Sequence, residues 1–80
     1  MGNKDYYRKT IIDLRTRIAK ERESKKKDNE YYARLIKRSS SLSIKAMYRK
    51  AKINKATYHD KRIEDLKSRI ENAKKALKRC

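Results

Sequence analysis

The residues best suited to chemistry in this chain of 80 are cationic. Between Tyr31 and His59 stand eight bases, Arg34, Lys37, Arg38, Lys45, Arg49, Lys50, Lys52 and Lys55, without one acid. Such a run repels itself unless an anion offsets it, and a polyanion is its natural partner, because each phosphate neutralised releases a counterion. Elsewhere bases alternate with acids, as in Arg62-Ile63-Glu64-Asp65-Leu66-Lys67, the pattern of a solvated helical face with ion pairs one turn apart.

Other reactive types are scarce. His59 is the only histidine and Cys80 the only cysteine. A metal site would have to gather them with carboxylates from distant segments, and a terminal thiol offers neither a neighbouring base nor a pocket for nucleophilic catalysis. No metal, cofactor or catalytic residue is expected. The Tyr6-Tyr7 and Tyr31-Tyr32 pairs could stack on bases, but packing of one ring of each pair against the fold is the commoner use.

The whole composition supports a non-enzyme. Lys and Arg number 26 against 10 Asp and Glu, for a net charge of +16, and only 36% of residues are hydrophobic, with no Phe or Trp. A chain this short buries roughly 60% of the surface its unfolded form exposes. One small core is the most it builds, too little to wall off a catalytic pocket as well. With no Pro and a single Gly, at position 2, the composition is helical and the fold class expected is all-α. High charge with low hydrophobicity also fits a disordered chain, so order must be argued from periodicity. The lone Cys80, apolar runs no longer than three residues and an N-terminus without a signal-peptide stretch lead to the expectation of a cytoplasmic protein that does not engage membranes.

Three segments must position these residues. In segment 1–38, Ile11, Leu14 and Ile18 form one helical stripe, which resumes by sevens at Tyr32 and Leu35. Between them Glu21, Lys25 and Asp28 occupy the places where apolar residues belong. The stretch reads as one long charged helix in preference to two meeting near Ser24 to Asn29. Ser39-Ser40-Ser41 breaks it, and Ser41 or Ser43 can cap a second, short helix bearing Ile44, Met47, Tyr48 and Ala51. That helix is expected to stop near Lys52-Ile53-Asn54, with Asn54 capping a third, so segment 39–60 reads as a helix-turn-helix. Segment 61–80 carries a heptad seam of Ile63, Leu66, Ile70, Ala73 and Leu77, with Cys80 three further on. Its partner is either the N-terminal helix of the same chain or the same seam in a homodimer.

The run from Ser43 to His59 resembles the helix-turn-helix of TetR-type regulators, T-x-x-x-I-A-x-x-A-G-V-S-x-x-T-L-Y. Ala51, Ile53, Asn54, Lys55, Thr57 and Tyr58 match in kind, while Lys52 replaces the turn glycine and Tyr48 the small alanine. Over roughly residues 25–77 the order of elements is similar to the short helix-turn-helix accessory proteins encoded beside transposon tyrosine recombinases. That resemblance implies DNA recombination as the setting and a tyrosine recombinase as a protein partner.

In a helix-turn-helix the first residues of the second helix reach the floor of the major groove. Asn54, Lys55, Ala56 and His59 are then the base readers, with Lys55 suited to guanine and Ala56 to a thymine methyl. Arg34, Lys37, Arg38, Lys45, Arg49, Lys50, Lys52 and Thr57 would hold phosphates, and Tyr58 is expected mainly in the core. The function expected is a double-stranded-DNA-binding accessory or regulatory factor in recombination or transcription. The alternative is a helical coiled-coil scaffold that binds structured RNA or a protein.

Overall fold

The computed structural model describes residues 2–80. They form two helices, α1 (Gly2–Arg38) and α2 (Leu42–Arg79), joined by the three serines 39–41. The all-α expectation holds, and α1 runs unbroken through the polar stretch from Glu21 to Asp28. Lys25 meets Asp60 while Glu21 meets Arg62, so position falls along one helix as it rises along the other. The pair is an antiparallel hairpin measuring 62 × 14 × 10 Å across its Cα atoms. A helix of 38 residues spans about 57 Å, so each helix runs nearly the full length.

The serine break works through its hydroxyls. Ser41 has an extended backbone (φ −87°, ψ 128°), and its side chain accepts from the Ile44 N–H at 3.3 Å, the geometry of an N-cap. The Ser39 N–H still bonds the Leu35 carbonyl at 3.1 Å, and its hydroxyl donates to the Ser41 carbonyl at 3.4 Å. Three residues thus reverse the chain and satisfy helix-end groups on both sides.

The expected stop near Lys52-Ile53-Asn54 does not occur, and with it the helix-turn-helix of segment 39–60 is replaced by one continuous helix to Arg79. Among the described residues none has a positive φ, so Lys52 does not take the left-handed conformation that the missing turn glycine would supply. Neither Gly nor Pro interrupts the stretch, and Lys, Ile and Asn cost only a few tenths of a kcal/mol each inside a helix. Continuing also lets Tyr48, Ala51, Lys52 and Ala56, all half-buried, keep packing along α1. A turn at Lys52 would forfeit that packing.

The core lies in the half of the hairpin that holds both chain ends. Ile11, Leu14 and Ile18 of α1 interleave with Ile63, Leu66, Ile70 and Ala73 of α2, flanked by Tyr7 and Leu77. Side chains of this size contribute about 1.5–3 kcal/mol each when buried. The heptad seam expected either to pair within the chain or to hold a homodimer is therefore occupied by α1 of the same molecule. No residue of the loop-proximal half, from Tyr31 to Tyr58, is buried to the same degree.

Candidate nucleic-acid interface

Where the apolar stripe of α1 is interrupted, α2 presents His59. Its ring is 6% exposed, and Nδ1–H donates to Glu21 Oε1 at 2.7 Å while Nε2–H donates to Asp28 Oδ2 at 2.5 Å. Carboxylate oxygens accept, so partners on both nitrogens favour the doubly protonated, cationic ring. The hydrogen bonds to Asp28 and then to Glu21 hold its pKa above the ordinary 6.5, against burial, which pulls the other way. Glu21 is held below its ordinary 4.5, first by His59 and further by Arg62, whose Nε lies 3.1 Å from Oε2. Lys25 closes the layer on Asp60 at 2.7 Å. The histidine expected to read bases is thus turned inward, and a helix without a turn offers no N-terminal end at Asn54 to enter a groove.

The other expected readers divide by face. Asn54 and Lys55 are exposed, whereas Ala56 is half-buried toward α1. Among the expected phosphate contacts, Arg34, Lys37, Arg38, Arg49, Lys50 and Thr57 are exposed, and Lys45 and Lys52 are half-buried. Seven of the eight bases come together all the same. The hairpin folds this stretch back around Ser39–Ser41, so that Arg34, Lys37 and Arg38 of α1 and Lys45, Arg49, Lys50 and Lys52 of α2 share an acid-free loop-proximal end, while Lys55, one turn from the His59–Asp28 contact, stands level with Glu30.

The tyrosine pairs split as expected. Tyr7 and Tyr32 are half-buried, Tyr6 and Tyr31 are exposed, and each pair meets edge to face at 5.2 Å between ring centroids. Tyr58, expected mainly in the core, is instead 52% exposed. Lys55 Nζ lies 5.9 Å and Arg62 Cζ 5.5 Å from its ring centroid, and Arg62 Nη1 donates to its hydroxyl at 3.4 Å. Two adjoining surface recesses share this ring. One, of about 430 Å³, lies toward the loop beside Tyr32 and Lys55; the other, of about 540 Å³, lies toward the core beside Arg17, Lys20 and Lys61.

Sequence reasoning missed Glu21 and Asp28 as partners of His59, and Arg17, Lys20 and Lys61 as neighbours of Tyr58. The first omission had a signal: four residues before Ile63 the seam of α2 falls on His59, opposite the polar gap in α1. Cys80 is exposed, its thiol donating to the Ala76 carbonyl at 3.3 Å. Among the described residues no three His, Cys, Asp or Glu side chains are grouped to hold a metal ion, and no helix is long and apolar enough to cross a membrane. Comparison with protein-family models, with curated proteins and with solved structures finds no match to this chain.

Proposed function

We propose that the protein is a nucleic-acid-binding helical hairpin whose loop-proximal end docks on the phosphates of duplex DNA. The observation that carries this reading is the acid-free end, seven bases from Arg34 to Lys52 on two antiparallel helices around Ser39–Ser41. Contacts of this kind position a protein without reading sequence, so a role as an accessory factor in recombination or transcription rests on affinity and shape. Fluorescence anisotropy of a labelled duplex across a salt series tests it. Binding should weaken linearly on logarithmic axes, and Arg34→Ala/Lys37→Ala/Arg38→Ala should reduce the slope by about 0.9 for each phosphate no longer neutralised. Salt-independent binding, or a slope unmoved by the triple change, would overturn the reading.

A second reading, a helical scaffold for structured RNA or a protein, draws on Leu42, Met47 and Ile53, exposed at 81%, 59% and 65% in the same stretch of α2. Retention of a partner in high salt together with loss on Ile53→Ser would favour it.

A further inference from the structure

Resting on the nucleic-acid reading, we infer that the groove centred on Tyr58 is a separate site for a single-stranded segment, with one base stacked on the Tyr58 ring and its flanking phosphates on Arg17, Lys20 and Lys61. Three observations converge on it. Tyr58 leaves half its surface open although the ring is one residue from buried His59, so the exposure belongs to a ring at the rim of the helix interface. The two recesses meet at this ring and run on either side of it along the hairpin, a track with one aromatic in the middle and a second, Tyr32, toward the loop. The charge along the track is unbalanced: Arg62 and Arg69 are tied to Glu21 and Asp65, whereas among the described residues Arg17, Lys20, Lys55 and Lys61 form no ion pair.

An aromatic face between cations is suited to an unstacked base. Every base presents a π-face, so stacking is tolerant of sequence, and lysines and arginines along the same line track the backbone. A duplex hides its base faces and cannot use Tyr58, while a phosphate-only site has no need of the ring. Lys55 and Arg62 now lie over the Tyr58 ring, so a stacking base takes the place of at least one of them; Lys55, which forms no ion pair among the described residues, is the one able to swing onto a flanking phosphate, while Arg62 stays on Glu21. The groove thus discriminates single strand from duplex, whereas the loop-proximal bases serve both.

The test compares a labelled 15-nucleotide oligothymidylate with a blunt 15-base-pair duplex, both on the full chain. Tyr58→Ala should weaken single-strand binding about 5- to 100-fold and leave duplex binding within about twofold, and Tyr58→Phe should retain both. A single strand carrying 2-aminopurine should be quenched by the wild-type chain and by Tyr58→Phe and not by Tyr58→Leu, a readout that a structural role for the ring would not move. Helical content by circular dichroism monitors folding, and Tyr58→Leu keeps the apolar bulk if the alanine variant loosens the hairpin. Equal losses on both ligands, or a single-strand affinity unmoved by Tyr58→Leu, would overturn the groove and leave duplex docking standing. If the wild-type chain binds neither nucleic acid at low salt, both proposals fall.

Discussion

His59 and Asp28 are 31 residues apart in the chain and 2.5 Å apart in the hairpin, nitrogen to oxygen, at the boundary between the apolar half and the basic half. With Glu21 on the other ring nitrogen, the pair converts a gap in the apolar seam into a buried layer of compensated charge. Removing one member leaves the others unmatched. His59→Ala should cost about 1–3 kcal/mol near pH 5.5, below the range for a fully buried pair because Asp28 is about a third exposed and Glu21 keeps Arg62. Urea titrations at pH 5.5 and pH 9 check it, and an equal loss at both would count against an ionic role for the ring.

The layer makes stability depend on pH in a defined direction. A histidine raised above 6.5 stabilises fully below that value and loses its contribution as pH climbs through the raised folded-state pKa. Glu21, held below 4.5, stabilises above that value and loses its contribution as pH falls through the lowered pKa. The two together predict greatest stability between about pH 4.5 and 6.5. The melting temperature of the wild type should decline on the alkaline side of this interval, and that alkaline decline should vanish in His59→Asn.

Charge in the seam has a second consequence, for specificity. Glu21→Leu/Asp28→Leu/His59→Leu leaves Lys25, on Asp60, as the one polar place in the stripe of α1, and such replacements are often neutral or stabilising by about 1–4 kcal/mol. The triple variant should therefore melt no lower than the wild type. Without the layer, nothing in the seam singles out this register, and mixed association states should appear in sedimentation. A strictly unchanged association state would show that the loop and core alone set the pairing.

Core and surface positions of similar chemistry should separate clearly. Leu66→Ala should destabilise by about 2–4 kcal/mol, since the side chain is 8% exposed among Ile11, Leu14 and Ile18. Ile53→Ala, at 65% exposure, should fall within about 0.5 kcal/mol of wild type. Thermal unfolding of the two variants side by side decides it.

The serine cap gives a local test. Ser41→Ala removes the acceptor for the Ile44 N–H and should cost about 1 kcal/mol, whereas Ser40→Ala, whose hydroxyl makes no hydrogen bond among the described residues, should be silent. Similar losses for both would shift the explanation from capping to loop conformation.

Much of this fold is written in local signals. Ile11, Leu14 and Ile18 announce a stripe, the three serines end it, and the seam from Ile63 to Leu77 marks a face that must be covered, although its spacing fits α1 and a second copy equally. What misleads is a motif read over too short a window. Ala51, Ile53 and Asn54 look like a turn and a cap in isolation, yet the packing of Tyr48, Ala56 and His59 along α1 extends the helix through them. Propensity is a weak preference beside a continuous buried face. The Tyr58 groove was illegible for another reason: Arg17 and Lys20 reach it only through the register of α1 against α2, which His59 and the core fix at long range.

The distribution of that core also bears on how the hairpin forms and opens. Contacts near Ser39–Ser41 close short loops but hold no buried residue, whereas Ile18 and Ile63, in the same buried cluster, stand about 45 residues apart in the chain. Closing that longer loop costs only about 0.6 kcal/mol more for each doubling of length, so the distant clasp is affordable and supplies most of the grip. Amide exchange should accordingly be fastest beside the short loop and slowest in the half that holds both ends, the reverse of a hairpin zipped from its turn. Joined covalently at one end and gripped by its core at the other, the molecule carries its basic arms on the stretch that packing holds least.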